Sequence, residues 1–130
     1  TDLERIGDQA ADIAEVVTLG NIQTGPETAY IADMARATIK MVTDSINAYV
    51  RRDATLAEAV IDYDDVVDDL FNKAKESLIR FIENRKGSGE YAIDLLMISK
   101  YFERIGDHAV NIAEWVQFSI TGAHKGESAL

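Results

Sequence analysis

Apolar side chains recur every three or four residues along most of this chain, a spacing that predicts helices rather than strands. In the second quarter of the chain, one helix face would carry Ile31, Ala35, Ile39, Val42, Ile46 and Tyr49. Loop and cap residues interrupt the pattern between such segments. We therefore predict four helices, over residues 2–19, 26–52, 55–85 and 90–121.

Specific residues mark the ends of the predicted helices. Pro26 suits the first turn of the second helix, because its missing N–H would have no intrahelical partner there. The basic pair Arg51 and Arg52 suits the C-terminus of that helix. The segment TLAE, from Thr55 to Glu58, has the pattern of a capping box and predicts that the third helix starts at Thr55.

Short connections between the long helices predict antiparallel neighbours. KGSG at residues 86–89 separates the third helix from the fourth, and Gly122 occupies the position of a C-terminal cap. The predicted fold class is all-α, with an antiparallel, spectrin-like three-helix bundle over residues 26–122 and one extra N-terminal helix over residues 1–20. Residues 123–130 are expected to form a flexible tail.

One segment occurs twice. LERIGDQAADIAE starts at Leu3, FERIGDHAVNIAE starts at Phe102, and residues 3–17 and 102–116 are identical at 10 of 15 aligned positions. The repeat predicts a structural unit of three helices that carries this motif on its third helix. The first helix would then close a preceding unit, and two further helices are expected upstream in the parent protein.

Composition limits the classes of partner. The chain has 130 residues, 47% of them hydrophobic, which fits one compact domain. Its 13 Lys and Arg against 23 Asp and Glu give a net charge of -10, and such a surface repels a nucleic-acid backbone. The absence of Cys excludes disulfides and thiolate metal sites and is compatible with the cytoplasm. The sequence contains no apolar run of membrane-spanning length.

The repeated motif places carboxylates four residues apart, as Glu4 and Asp8 and again as Glu103 and Asp107. On a helical wheel they share one sector with further polar residues, opposite the apolar seam: Asp12, Glu15, Asn111 and Glu114. Like charges at this spacing cost about 0.2–0.5 kcal/mol, and an interior Gly costs about 1 kcal/mol relative to Ala. Unfavourable choices made twice are typical of a functional site, although the Gly also suits close helix packing.

The third helix carries a second acidic run, DYDDVVDD at residues 62–69, which includes Asp64 and Asp68 at the same spacing. Hard oxygen donors without Cys or clustered His favour Mg²⁺, Ca²⁺, Mn²⁺ or iron, and accept zinc with less preference. A solvated acidic helix face is the alternative interpretation. The predicted metal-ligating residues are Glu103, Asp107, Asp64, Asp68, Glu4, Asp8, Asn111 and Asp12.

Three segments resemble the PhoU family of phosphate-uptake regulators: LERIGDQAADIAE, ISKYFERIGDHAVNIAEWVQFSITG and AEAVIDYDDVVDDLF. In that family a Glu-or-Asp-x-x-x-Asp motif closes each of two tandem three-helix units. The resemblance spans most of residues 1–122. It implies a cytoplasmic bacterial regulator without established enzymatic activity that negatively regulates phosphate-starvation signalling.

The same resemblance implies partners and cofactors. The expected partners are the ATPase of a phosphate ABC transporter and a membrane sensor histidine kinase, with a homodimeric regulator that reaches the membrane only through them. Iron or zinc, as multinuclear clusters on the bundle surface, are the implied metals. One site would contain Glu103, Asp107, Asp64 and Asp68, whereas Glu4 and Asp8 would belong to a second site that lacks its partner pair in this chain. The first helix is expected to dock on its own bundle or to exchange into a neighbouring molecule.

Two alternatives stay open. A carboxylate-bridged di-metal enzyme in a helical bundle would need Glu-x-x-His ligands projecting into the core, and this sequence contains no such motif. A PhoU-like accessory domain of a larger membrane phosphate transporter is the other.

Overall fold

The computed structural model describes residues 1–84 and 89–122, and within them it is entirely helical. The helices are α1 (Asp2–Leu19), α2 (Ala29–Arg51), α3 (Ala54–Glu83) and α4 (Gly89–Thr121), and a short 3₁₀ turn spans Pro26–Thr28. The predicted all-α class is confirmed. None of the helices in the described ranges is both long enough and apolar enough to span a membrane.

Three helix starts differ from the prediction, and those of α3 and α4 differ by a single residue. Pro26 opens the 3₁₀ turn, so α2 begins three residues later, at Ala29. The capping box at Thr55 is wrong, because the cap of α3 is Asp53, whose carboxylate accepts a hydrogen bond of 3.0 Å from the backbone N–H of Leu56. Arg52 ends α2 in a left-handed conformation with φ of 53°, which leaves Asp53 as the first residue free to cap α3.

The other predicted ends agree with the structure where it describes them. α1 has the predicted bounds, and α4 starts at Gly89, one residue before the prediction. Gly122 adopts φ of 76°, and its N–H donates to the carbonyl of Phe118 at 2.9 Å. The predicted end of α3 at Arg85, the interruption at residues 86–88 and the tail at residues 123–130 lie outside the described residues.

α2, α3 and α4 pack against one another around one apolar core. Its largest fully buried apolar side chains are Met34, Met41, Leu95, Ile112, Val60, Val67 and Val116. The buried polar residues of the described part are Thr38, Ser45 and Ser99, and each hydroxyl donates to a carbonyl of its own helix. The core therefore contains no carboxylate among the residues that the structure describes.

α1 docks on its own chain, mainly along α4, which is one of the two arrangements expected for it. At one end, the carboxylate of Asp2 accepts hydrogen bonds from His108 Nδ1 at 2.8 Å and from Asn111 Nδ2 at 3.2 Å. In its second half, Ile13 and Val16 pack against the core. No residue of α1 is buried, so this helix is held far less completely than the other three.

The predicted apolar seam of α1 is only partly used. Ile6, Ala10 and Ile13 line an open apolar groove beside α2 and α4, and Val17 lines a second groove next to it. Because both grooves are open, Ala10 and Val17 remain exposed to solvent. The helix is turned so that the polar residues Asp2 and Gln9 also approach the bundle. The reason is physical: α4 covers one side of α1, and no second helix in the described residues covers the rest of its seam.

Candidate metal centre

Four carboxylates meet on the outer side of the α3–α4 pair, and we call them the carboxylate cluster: Asp64, Asp68, Glu103 and Asp107. The helices run antiparallel there. Further along the pair, Lys100 Nζ of α4 lies 5.1 Å from the ring centroid of Phe71 in α3, and the rings of Phe81 and Tyr91 are 6.0 Å apart. The four-residue spacing on each helix, together with this alignment, brings the two acidic pairs opposite each other.

Asp64 is the most constrained member of the cluster. Its Oδ1 is buried and has no hydrogen-bond partner in the described part of the chain. Burial, followed by the charges of Asp68 and Asp107, raises the pKa of Asp64 from 3.8 to about 6. A buried acceptor without a donor is costly, and this oxygen is therefore well suited to accept a cation or a donated proton.

Gly106 of α4 packs beside Asp64 of α3. A Cβ at position 106 would lie 3.8 Å from Asp64 Oδ1, 3.6 Å from Met41 Sδ and 3.8 Å from Val67 Cγ1. These are ordinary van der Waals distances, so a methyl group would fit but would fill the space beside the carboxylate oxygen. Gly106 thus serves close packing and also leaves one side of Asp64 open.

The other members repel one another as well. Burial raises the pKa of both Asp68 and Asp107, and the charge of Glu103 is the next largest cause for each. Lys100 opposes this effect: its Nζ lies 2.7 Å from Glu103 Oε1, and its charge lowers the pKa of Asp68 and of Asp107. Lys100 is therefore the cluster's own counter-ion.

The described side chains do not form a preorganised metal-binding site. Across residues 1–84 and 89–122, no group of three His, Cys, Asp or Glu side chains is arranged to hold a metal ion. The donor set still fits a hard cation, because it supplies several carboxylates and one unpartnered buried oxygen. A bound ion would require the side chains to turn inward and Glu103 to exchange Lys100 for the metal.

The remaining predicted ligands lie elsewhere. Glu4 and Asp8 are exposed on α1. Asn111 donates its amide to Asp2, and Asp12 borders a separate cleft between α1 and α4. The structure therefore brings together four of the eight predicted residues and leaves the α1 carboxylates without a facing acidic helix in the described part.

Two contacts near the predicted ligands were not predicted from the sequence. Lys100 stands three residues before Glu103, a spacing that predicts an ion pair on one helix face, so it could have been found. The bond between Asp2 and His108 joins residues far apart in the chain, and no local pattern signals it.

Comparison with known proteins gives a consistent result. Residues 31–116 match the PhoU domain. The chain is similar to a phosphate-specific transport system accessory protein PhoU homolog of Clostridium acetobutylicum, with 35% identity over 123 residues that cover 94% of this chain and 56% of the relative. A homolog from Zymomonas mobilis is 37% identical over 126 residues, covering 96% of this chain and 53% of the relative.

A PhoU homolog of Thermotoga maritima is 35% identical over 128 residues, covering 97% of this chain and 55% of that protein. The chain spans about half the length of the curated relatives it matches. The matched domain covers most of α2, α3 and α4, and these residues form a helical bundle. The chain therefore belongs to the PhoU family.

Proposed function

We propose that the carboxylate cluster binds a metal cation on the surface of the bundle. The observation that carries the proposal is the buried, unpartnered Oδ1 of Asp64, whose side chain is close to Asp68 on its own helix and to Glu103 and Asp107 on α4. Burial first, and repulsion between the carboxylates second, raise the pKa of Asp64, Asp68 and Asp107, and a bound cation would offset both effects. The family resemblance favours iron or zinc, and the oxygen donors also accept Mg²⁺, Ca²⁺ or Mn²⁺.

Within this site each residue has a separate task. Asp64 and Asp68 would hold the cation from α3, and Glu103 and Asp107 would hold it from α4. Lys100 neutralises Glu103 when no cation is bound, so it competes with the metal for that carboxylate. The metal would supply a fixed positive charge that ties the two helices together, which is a structural and regulatory role rather than a catalytic one.

Elemental analysis of the protein purified without added metal tests this site. The wild type should carry iron or zinc, Asp64→Asn/Asp68→Asn should lose it, and the matched variant Asp62→Asn/Glu76→Gln should keep it, since both control residues are exposed on α3. Equal metal content in the three proteins would contradict the site. So would a wild type that stays free of metal after incubation with Fe²⁺ and Zn²⁺.

For the biological role, we propose that the full-length protein restrains phosphate-starvation signalling as an accessory to a phosphate transport system. The relatives are phosphate-specific transport system accessory proteins, which supports this role. The proposed partners are the ATPase of a phosphate ABC transporter and a membrane sensor histidine kinase, contacted by a cytoplasmic homodimer. Deletion of the gene should raise expression of a phosphate-starvation reporter in high phosphate, and an unchanged reporter would contradict the role.

We also propose that α1 is the last helix of a preceding repeat, with residues 26–122 forming the second repeat. The doubled motif and the greater length of the relatives support this division. In a protein extended by the preceding residues, the backbone amides of Ala10 and Val17 should gain protection from hydrogen exchange. Unchanged exchange at both positions would contradict the division.

The enzyme alternative has less support from the geometry. A di-metal enzyme of the helical-bundle type needs ligands in the bundle interior. Thr38, Ser45 and Ser99 are the buried polar residues of the described part, and the carboxylate cluster lies on the outside. We therefore propose a regulator that is not an enzyme.

A further inference from the structure

A second acidic surface lies between α1 and α4, away from the carboxylate cluster. It is a cleft of about 580 Å³ between the C-terminal half of α1 and the N-terminal half of α4. Two carboxylates line it from each helix, Asp12 and Glu15 from α1, and Glu90 and Asp94 from α4. Tyr91 and Tyr101 contribute its aromatic walls.

The four carboxylates lack a cationic partner. In the described part of the chain, none of them forms an ion pair with Lys or Arg. The guanidinium of Arg104 lies 5.9 Å from the ring centroid of Tyr101 and forms an ion pair with none of the four. Asp94 lies against Gly20, the C-terminal cap of α1, since a Cβ on Gly20 would be only 2.8 Å from its Oδ2. The partial negative charge at this helix C-terminus adds to the negative potential of the cleft.

The geometry favours a cationic side chain over a metal ion. The cleft is far larger than a metal site, and among the described residues the unpartnered buried carboxylate oxygen belongs to Asp64, outside this cleft. Its size falls within the range of pockets that receive organic groups, about 300–1,000 Å³. Tyrosine rings bind guanidinium and ammonium groups through their faces, and Arg104 already uses Tyr101 in this way.

The rim of the cleft indicates a protein partner. Leu19 is 78% exposed and Met97 is 41% exposed, and both line the cleft. Exposed apolar side chains beside tyrosines are typical of surfaces that contact another protein. We propose that this cleft receives a lysine- or arginine-bearing segment of a partner protein, with the basic groups on the four carboxylates and the aliphatic stems against Tyr91 and Met97. The cleft is separate from the carboxylate cluster, so a failure of the proposed metal site would not affect this proposal.

The test is fluorescence anisotropy with a labelled peptide of alternating arginine and leucine, measured at low salt. Neutralising the cleft with Glu15→Gln/Asp94→Asn should raise the peptide's Kd by about tenfold or more, because desolvated charge pairs at an interface contribute at least that much. The matched variant Asp62→Asn/Glu76→Gln changes the net charge equally on another helix and should change Kd by less than about twofold.

Two further measurements complete the test. A peptide with glutamine in place of arginine should fail to bind, and circular dichroism should show both double variants folded. Equal weakening in the two double variants would overturn the proposal, because it would show attraction by net charge alone. Stoichiometric displacement of the peptide by Ca²⁺ would also overturn it, since it would make the cleft a metal site.

Discussion

The two copies of the ERIGD motif share ten residues and differ in what covers them. In the second copy, Ala109 and Ile112 are fully buried and Gly106 packs against α2 and α3. In the first copy, the equivalent Ala10 is exposed, Ile13 is half-buried, and a Cβ on Gly7 would meet nothing within 4 Å. Both copies are helical, so the motif specifies a helix whatever surrounds it. The acidic partner that completes a site comes instead from a neighbouring helix.

Truncating an apolar side chain should give the largest difference in stability between the two motif copies. Ile112→Ala removes a fully buried side chain and should lower the free energy of unfolding by about 4 kcal/mol. Ile13→Ala removes a half-buried one at the edge of an open groove and should cost about 1 kcal/mol. Urea denaturation followed by circular dichroism measures both. Equal losses would mean that α1 is packed as tightly as α4.

Removing a negative charge should give the second largest difference in stability, between a residue of the carboxylate cluster and a carboxylate of α1. Asp64→Asn should stabilise the metal-free protein at pH 7 by about 1 kcal/mol, a value reduced from the full pKa shift because solvent screens a half-exposed group. Asp8→Asn, on the exposed face of α1, should change stability by less than about 0.5 kcal/mol.

The effect of Asp64→Asn should depend on pH. The folded chain holds the Asp64 proton more tightly than the unfolded chain, so unfolding releases a proton between pH 3.8 and about pH 6. The wild type therefore loses stability as pH rises through that window, and the advantage of Asp64→Asn grows from near zero at its acid end to its full value above it. Urea titrations at both ends of the window measure this, and a constant advantage would contradict the assigned pKa.

Replacing the motif glycines should give the smallest difference. Gly7→Ala should stabilise the protein by about 0.5–1 kcal/mol, since Ala has the higher helix propensity and nothing lies near the new methyl group. Gly106→Ala should stabilise the protein less at pH 7, because its methyl group lies beside the charged Asp64 oxygen. It should stabilise the protein more in acid, where Asp64 is protonated. Thermal unfolding at the two pH values measures this, and a larger gain at Gly106 at pH 7 would contradict the account.

The sequence predicts most of the fold and part of the site. Helix periodicity and the cap at Gly122 were sufficient to predict the four helices. The four-residue spacing of the acidic pairs predicts that they lie on outward faces of their helices. The predicted cap of α3 at Thr55 was wrong because Asp53, two residues earlier, is also a good capping residue, and the left-handed turn at Arg52 favours Asp53.

Other features depend on tertiary contacts and have no local signal. The half-burial of Asp64 results from the packing of α3 against α4, which brings it beside Gly106 on that other helix. The rotation of α1 results from its contact with α4 and from the bond between Asp2 and His108. Periodicity placed Ala10 and Val17 on an apolar seam correctly, but it cannot tell which part of a seam a neighbour covers.

The most direct test of the account is cation binding by matched variants of the two motif copies. Calorimetric titration with Zn²⁺ and with Fe²⁺ under anaerobic conditions should show binding to the wild type and to Glu4→Gln/Asp8→Asn with similar affinity. Glu103→Gln/Asp107→Asn should weaken the affinity by about a hundredfold, because it removes half of the facing donors. Equal weakening by both pairs, or loss only in the α1 variant, would contradict the claim that a facing acidic helix makes the site.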